Sequence, residues 1–146
     1  MNGTFQNQGE YQDQSGQIHP LAYELFSRRV PLFQTLVAER VDIRMPDSNT
    51  LSIRTSRGQD VLNDFTFVRD KKEFSCEDGF LAIRPNLSAL GDGGGGLGPV
   101  NDVLFLALSN EGFLMVRHVA FTPYGPASLT PGANWLSKWS RYAPAK

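Results

Sequence analysis

The feature that most constrains the fold of this chain is a series of short segments, from residue 41 onward, in which apolar and polar residues alternate. Residues 41–45, 51–55 and 65–67 each place apolar side chains at every second position. A period of two is typical of a β-strand with one buried face and one solvated face. The pattern predicts an antiparallel sheet, because parallel strands are usually buried on both faces.

Turn-forming residues separate most of these segments and set the boundaries of the predicted strands. Clusters such as 46–49, 56–59 and 110–112 are rich in the residues that favour turns. Loops this short join antiparallel neighbours, since a parallel pair needs a crossover of about a dozen residues or more. We predict a meander of strands at 41–46, 50–57, 60–69, 73–76, 80–84, 103–109, 113–122 and 134–142.

For two segments the sequence also predicts where the strand lies in the sheet. Residues 3–12 are polar apart from two aromatic side chains, so we predict an edge strand there. Residues 113–121 are apolar at nearly every position except Arg117 and His118. That composition is typical of a central strand covered on both faces.

The N-terminal part of the chain contains the predicted helix. Pro20 suits a first helical turn, and residues 21–29 place apolar side chains on one face and end in two arginines. Pro31 ends this helix, and residues 32–40 fit either a short helical turn or an extended link. We therefore predict a single domain, residues 1–146, of mainly β (α+β) class. It has one N-terminal helix and one antiparallel meander sheet curled into a barrel-like or sandwich form.

Composition disfavours several classes of protein. A chain of 146 residues with net charge −1 and a pI near 6.1 has no global field to attract nucleic acid. A single cysteine, Cys76, rules out an intramolecular disulfide and a multi-cysteine metal site. No stretch of sequence approaches the roughly 20 apolar residues with which a helix spans a bilayer.

The glycine-rich segment 91–98 is the most conspicuous local motif. A phosphate-binding loop of the P-loop type needs Lys and then Ser or Thr at its end, with a helix behind it. Pro99 and a predicted strand follow here instead. We interpret the segment as a loop between strands.

Cys76 is the candidate nucleophile of the chain. A catalytic thiol needs a base within hydrogen-bond reach, and His19 and His118 are the two histidines of the sequence. No third, orienting group can be named, and Cys76 shares one face of a predicted strand with Phe74. We therefore predict that Cys76 is a small buried core residue and that the chain has no catalytic residues.

Neither a metal site nor a cofactor is predicted. Two histidines cannot complete a metal site alone, and no EF-hand or HExxH spacing occurs. Ligand-binding residues stay unassigned. The scattered carboxylates are interpreted as solvated charges in turns and on exposed strand faces: Asp42, Asp47, Asp60, Asp64, Asp70, Glu73, Glu77 and Asp78.

The last predicted strand, 134–142, carries Trp135, Trp139 and Tyr142. Exposed tryptophans would indicate a binding surface, whereas buried ones would seal this strand against the core. Because aromatic residues usually fill cores, we favour the second interpretation.

Several landmarks together resemble a broad group of uncharacterised envelope lipoproteins that is common in proteobacteria. They are the polar start 3–9, a leucine-containing helical segment, the segment 74–81, a glycine-rich loop, the segment 106–116 and a Trp-bearing final strand. The resemblance implies a domain at the periplasmic face of a membrane, anchored by an acylated cysteine just before the first strand. Because strand-like sequence begins at Gly3, we expect that Met1 is an added start and that a natural leader was removed.

These observations lead to one functional expectation and two alternatives. We expect a non-enzymatic, lipid-anchored envelope domain that contacts another envelope component, such as a protein, and meets the membrane only through its anchor. The first alternative is a small lipocalin-like carrier that holds an apolar small molecule in the mouth of its curled sheet. Ten phenylalanines and two tryptophans fit such a cavity or a solid core equally well. The second alternative is an enzyme that depends on Cys76.

Overall fold

The computed structural model describes residues 1–12, 18–26, 29–84, 101–122 and 134–146. Strands dominate this part of the chain. They are β1 (Gly3–Gln12), β2 (Arg40–Arg44), β3 (Thr50–Arg57), β4 (Asp60–Val68), β5 (Phe74–Glu77), β6 (Phe80–Ile83), β7 (Asn101–Leu108), β8 (Leu114–Thr122) and β9 (Asn134–Pro144). Two short helices lie between β1 and β2 in the sequence, α1 (Leu21–Phe26) and α2 (Leu32–Val37).

All nine strands found in the described residues belong to one sheet, in the order β4-β3-β2-β1-β9-β8-β7-β6-β5. Every neighbouring pair is antiparallel. Strands that follow each other in the chain are neighbours in the sheet, except β4 and β5, which occupy its two edges. In addition, β1 pairs with β9. The predicted mainly β class and antiparallel sheet are thereby confirmed.

The two edge strands follow each other directly in the chain, and only residues 69–73 connect them. This connection contains one 3₁₀ turn, Arg69–Lys71, which ends at Lys72 in the left-handed region with φ of 60°. The Val68 amide donates to Glu73 Oε2 at 2.7 Å. This short connection therefore joins the two edge strands, and within the described ranges no ladder between β4 and β5 closes the sheet.

Alternating side chains give the sheet an inner and an outer face. On β2 and β3, Val41, Ile43, Leu51 and Ile53 are 0% exposed, whereas Arg54 is exposed on the other face. Fully burying a side chain of this size contributes about 1.5–3 kcal/mol. The helix α1 adds four buried side chains to the same core: Leu21, Ala22, Leu25 and Phe26.

The strand β1 is not the edge strand that its polar sequence predicts, because it lies between β2 and β9. Gln6 and Gln8 are exposed on its outer face, whereas Phe5, Asn7 and Gly9 are buried on its inner face. Exposure at the edge of a sheet therefore does not explain the polar composition of β1. Asn7 is buried with hydrogen-bond partners, and Gly9 is small enough for other side chains to cover it.

The strand β8 lies inside the sheet, between β7 and β9, but the prediction that both of its faces are covered is wrong. Leu114 and Val116 are buried on the inner face, whereas Arg117 is exposed on the outer face. Arg117 Nε donates to Ser137 Oγ at 3.0 Å, and the guanidinium lies 5.7 Å from the centre of the Trp139 ring. The outer face of β8 is therefore solvated at this position.

The helical part also differs from the prediction of one helix over residues 21–29. The helix α1 ends at Phe26, whose carbonyl accepts from the Val30 amide at 3.2 Å. After Pro31 the chain forms α2, so the helical alternative for residues 32–40 is the correct one, and a single N-terminal helix is wrong. In the described part of the chain no helix has the length and apolar character needed to cross a membrane.

Gly9 allows two side chains to approach the backbone of β1 closely. A Cβ atom at this position would overlap the Cγ2 methyl group of Ile18 and would lie 3.1 Å from the ring of Tyr142. Tyr142 is 0% exposed and is paired with Gly9 in the register of β1 and β9. A side chain at position 9 would therefore displace Ile18 and press against the buried ring of Tyr142.

We expect Gly9→Ala to lower the free energy of unfolding by about 1–3 kcal/mol, the usual cost of overpacking a core. The control is Gln8→Ala at the neighbouring exposed position, which should change that free energy by less than about 0.5 kcal/mol. Urea unfolding followed by tryptophan fluorescence measures both variants. Equal unfolding midpoints for the two variants would contradict the close approach at Gly9.

Candidate functional site

One buried side chain, Asn7, connects both helices to the sheet. The Ala22 amide donates to Asn7 Oδ1 at 2.7 Å. Asn7 Nδ2 donates to the carbonyls of Thr35 and Ala38 at 2.9 and 2.8 Å. Asn7 is 3% exposed, and both of its amide hydrogens and its oxygen have partners, as a buried amide requires.

These hydrogen bonds cap one end of each helix. Ala22 lies in the first turn of α1, where backbone amides have no partner within the helix, and Thr35 and Ala38 lie at the end of α2, where carbonyls have none. The residue before α2 is Pro31, which makes no side-chain capping bond. Asn7 therefore performs from the neighbouring strand the role that local capping residues usually have.

The helix α2 is held with its apolar side chains toward solvent. Its one buried residue is Thr35, at 0% exposed, whose hydroxyl donates to the Leu32 carbonyl at 2.7 Å. The exposed fractions are 55% for Leu32, 62% for Phe33, 55% for Leu36 and 37% for Val37. We call these four residues the α2 patch.

The α2 patch is large enough to need an explanation. Leu32, Phe33 and Leu36 are each more than half exposed, and apolar side chains exposed together in this way often mark a functional surface. A helix of six residues is not stable through its own propensity, so its contacts with the rest of the fold maintain it. Buried polar groups, and not the apolar side chains, therefore determine which side of α2 faces the core.

Charged residues precede and follow α2 in the sequence. Arg29 precedes the helix, with its guanidinium 4.9 Å from the centre of the Phe67 ring. Arg40 follows the helix and is exposed, and Arg57 lies 3.9 Å from Glu39. Arg57 is also paired with exposed Asp60 in the register of β3 and β4, so the charges around Arg57 are of both signs.

A second cluster of polar side chains lies on the inner face of the sheet, beside α1. The Glu24 side chain is 6% exposed, and its Oε2 lies 3.3 Å from Nδ1 of His118 on β8. The Tyr142 hydroxyl on β9 donates to the His19 carbonyl at 2.9 Å, and the His19 ring stacks on Tyr23 at 4.7 Å. A buried carboxylate is stable only with such partners, so this cluster connects α1 to β8 and β9.

Cys76 is exposed, so the prediction that it is a buried core residue is wrong. Phe74, on the same face of β5, is 1% exposed, but Cys76 lies two residues further along a short edge strand, beyond the part that the core covers. Arg69 Nη2 donates to Cys76 Sγ at 3.1 Å. His118 lies three strands away in the sheet and contacts Glu24 instead. The geometry therefore does not bring His118 to the thiol as a base.

The acidic residues on the outer face form surface ion pairs. Asp42 lies 2.8 Å from Arg44, and Asp64 lies 2.7 Å from Arg54. Exposed pairs of this kind contribute about 0–1 kcal/mol each. Among the residues that the structure describes, no three His, Cys, Asp or Glu side chains come together as metal ligands.

An open groove of about 470 Å³ lies beside the start of β1 and the end of β2. Thr4, Asp42 and Arg44 line it, and Asp42 contacts the other two side chains: Thr4 Oγ1 donates to Asp42 at 2.9 Å, and Arg44 pairs with Asp42. Polar groups engaged in this way are less available to a ligand. The groove is therefore a weaker candidate site than the α2 patch.

The aromatic residues of β9 lie on different faces. Tyr142 is fully buried, whereas Trp139 is partly exposed beside Arg117, so the prediction that the tryptophans are buried is wrong for Trp139. The prediction for the side chain of Trp135 and the interpretation of the segment 91–98 as a loop both lie outside what the structure describes.

Sequence reasoning did not identify the α2 patch. The spacing of Leu32, Phe33, Leu36 and Val37 fits one side of a helix, and this signal was present in the sequence. An amphipathic helix normally buries that side, however. The bonds that reverse the usual orientation come from Asn7, at a sequence separation of 28 residues from Thr35.

We expect Asn7→Ala to lower the free energy of unfolding by about 2–3 kcal/mol, because it leaves buried backbone groups of both helices without partners. Amide hydrogen exchange should become faster at Ala22, whose amide loses its acceptor. The control is Gln6→Ala on the exposed face of β1. Unchanged protection of the Ala22 amide in the Asn7 variant would contradict the capping role.

The pKa of Tyr142 is raised above its ordinary value of 10.0, first because burial disfavours the phenolate and second because the Glu24 carboxylate repels it. The unfolded chain therefore releases this proton at a lower pH than the folded protein does. The resulting stability is fully present below about pH 10 and is lost as the pH rises above that value.

We accordingly expect urea unfolding midpoints to fall as the pH increases from about 9 to 11. In Tyr142→Phe this decline should be smaller, because the variant has no phenol at this position to ionise. Tyr23→Phe, which removes a partly exposed tyrosine, is the control. A decline that is the same in wild type and in Tyr142→Phe would show that another group causes it.

No protein-family model, no curated protein and no solved structure matches this chain.

Proposed function

We propose that this chain is a non-enzymatic binding domain of the bacterial cell envelope that contacts another envelope component through the α2 patch. The observation that carries the proposal is the outward orientation of four apolar side chains on α2, fixed by hydrogen bonds to buried Asn7. The resemblance to envelope lipoproteins supports the compartment and a lipid anchor ahead of the first strand.

The energetics of α2 support a binding role. Covering an exposed Leu or Phe contributes about 1.5–3 kcal/mol, and α2 presents several such side chains to water. A partner that covers them gains this free energy without any reorganisation of the protein, because Asn7 and Thr35 already hold the helix in place. An exposed apolar patch of this kind often marks an interaction site.

The positions of the nucleophile and the histidines support the non-enzymatic part of the proposal. The thiol of Cys76 contacts Arg69, and His118 contacts Glu24. These pairs place the groups that an acyl- or group-transfer reaction needs in separate parts of the sheet. The contact with Arg69 accounts for the position of Cys76, and the contact with Glu24 accounts for that of His118.

We also infer that the sheet is a barrel left open between β4 and β5, in preference to a sandwich. Support comes from the five-residue connection between the two edge strands, since it holds these edges next to each other. Buried aromatic side chains from the sheet and α1 point into the shared core: Phe5, Phe26, Phe67 and Phe74. Because these rings occupy the space that a carrier would need for its ligand, we favour docking over carriage of an apolar molecule.

The proposal predicts that a photo-crosslinking amino acid in place of Phe33 captures a partner in host cells. The matched control is the same amino acid in place of Leu108, which is 45% exposed but distant in sequence from α2. Adducts should form at position 33 well above the level at position 108. If position 33 gives no more adducts than position 108, the α2 patch is not the contact surface and the proposal fails.

A double variant, Phe33→Gln with Leu36→Gln, complements this experiment. Both residues are more than half exposed, so the free energy of unfolding should change by less than about 0.5 kcal/mol per substitution. Adducts from a crosslinker at the neighbouring position of Leu32 should nevertheless decrease. A variant that unfolds as the wild type does but loses these adducts separates binding from folding.

A further inference from the structure

The outer face of β7, β8 and β9 carries an arginine between two aromatic side chains. In the register of these strands Phe105 is opposite Arg117, and Arg117 is opposite Trp139. Arg117 is exposed, and the two rings beside it are partly exposed. Cross-strand neighbours on one face have Cβ atoms about 4.5–5.5 Å apart, so the three side chains form a continuous surface. We call these three residues the Arg117 row.

Neutral side chains hold the guanidinium of Arg117 in place. Its Nε donates to Ser137 Oγ at 3.0 Å, and its Cζ lies 5.7 Å from the centre of the Trp139 ring. Among the residues that the structure describes, no carboxylate pairs with Arg117. The Nη atoms therefore keep the planar fork of donors with which arginine binds a carboxylate through two hydrogen bonds.

Other charged side chains near the Arg117 row are paired with each other. Arg141, further along β9, lies 3.2 Å from Glu10 on β1. Arg84, which follows β6, lies 3.0 Å from Glu77 on β5. Glu111 is also exposed, in the turn between β7 and β8 and not on a strand. In this described part of the sheet, the Arg117 row therefore presents an unpaired positive charge between two rings.

We propose that the Arg117 row binds an acidic polysaccharide in which carboxylate-bearing and neutral sugars alternate. The carboxylate of one sugar accepts two hydrogen bonds from the Arg117 fork. Phe105 and Trp139 are two strands apart, about 10 Å, with Arg117 between them. The apolar C–H faces of the two neutral sugars pack on these rings. This inference concerns a second surface and does not depend on the contact proposed for the α2 patch.

The charge of the Arg117 row favours a sugar polymer of this kind over a nucleic acid. A single strand of nucleic acid carries a phosphate with every base, and its binding depends on basic residues that neutralise several phosphates. The row offers one arginine, and the chain as a whole has a net charge of −1. A polymer with a carboxylate on every second sugar needs one arginine for each pair of rings, which the row supplies.

The test is isothermal titration calorimetry of the purified chain with a hyaluronate hexasaccharide, in which acidic and neutral sugars alternate. The comparison ligand is the same hexasaccharide with its carboxylates converted to methyl esters, which keeps the rings and removes the charge. We expect the ester to bind at least about tenfold more weakly, because it loses the charge-assisted hydrogen bonds to Arg117. An oligothymidylate of six nucleotides should also bind more weakly than the acidic hexasaccharide.

Arg117→Gln tests the guanidinium, and Arg54→Gln is its control. Arg54 is exposed on the outer face of β3, where it pairs with Asp64 at 2.7 Å. Arg117→Gln should weaken binding of the acidic hexasaccharide about tenfold and leave binding of the ester unchanged. Arg54→Gln should change neither. Urea unfolding of both variants verifies that they are folded.

Two further variants separate the charge, the fork and the rings. Arg117→Lys keeps the charge without the planar fork, so its affinity for the acidic hexasaccharide should lie between those of the wild type and Arg117→Gln. Phe105→Leu removes an aromatic ring and keeps an apolar side chain. It should weaken binding of the acid and of the ester equally, by about threefold.

Several results would overturn the inference. They are no binding of the acidic hexasaccharide, equal binding of acid and ester, and binding that survives Arg117→Gln or is lost equally in Arg54→Gln. Tighter binding of the oligothymidylate would identify a nucleic acid as the occupant and would overturn it as well. If Arg117→Gln does not fold, Arg117→Lys decides: weaker binding by this folded variant supports the inference, and undiminished binding overturns it.

Discussion

The arrangement of the helices depends on one buried amide, that of Asn7. An asparagine side chain offers one acceptor and two donors at the end of a short stem. Asp would offer no donors to the carbonyls of Thr35 and Ala38, and a shorter Ser would lack the second donor. The same residue satisfies the Ala22 amide, so three backbone groups from two helices meet at a single position of β1. Directional bonds from one strand thus specify how the helical segment docks.

This constraint explains why the apolar side of α2 faces water. The hydrophobic effect is not directional and by itself favours any rotation of the helix that buries Leu32, Phe33 and Leu36. Hydrogen bonds to the end of the helix have a fixed geometry, and losing them inside the protein costs about 1–3 kcal/mol for each unsatisfied group. In this structure the hydrogen bonds, and not the hydrophobic effect, set the orientation of α2. The result is a rigid apolar surface, which a partner can cover without first ordering it.

The sequence predicts the local elements of this fold well and the long-range contacts poorly. Alternation identified β2 and β3 because their inner faces bury apolar side chains at every second position, such as Ile43 and Ile53. The same rule failed for β1, where the inner positions are a polar and a small residue, Asn7 and Gly9. It failed for Cys76 because alternation assigns a face but not how far the core extends along an edge strand. The α2 patch could not be predicted from local pattern, because it depends on a hydrogen bond between Thr35 and Asn7, which lie 28 residues apart in the sequence.

The pairing of β1 with β9 has a consequence for how the chain matures. During synthesis β1 leaves the ribosome first among the nine strands described, and its neighbour β9 leaves last. The two halves of the sheet, β1 to β4 and β5 to β9, are therefore synthesised before β1 can pair with β9. Contacts between residues so far apart in the sequence form slowly. Tyr142, which fills the space above Gly9, arrives with β9. Until then the inner face of β1 lacks the cover that Tyr142 provides at Gly9, so the nascent domain is at greatest risk of aggregation just before β9 is released.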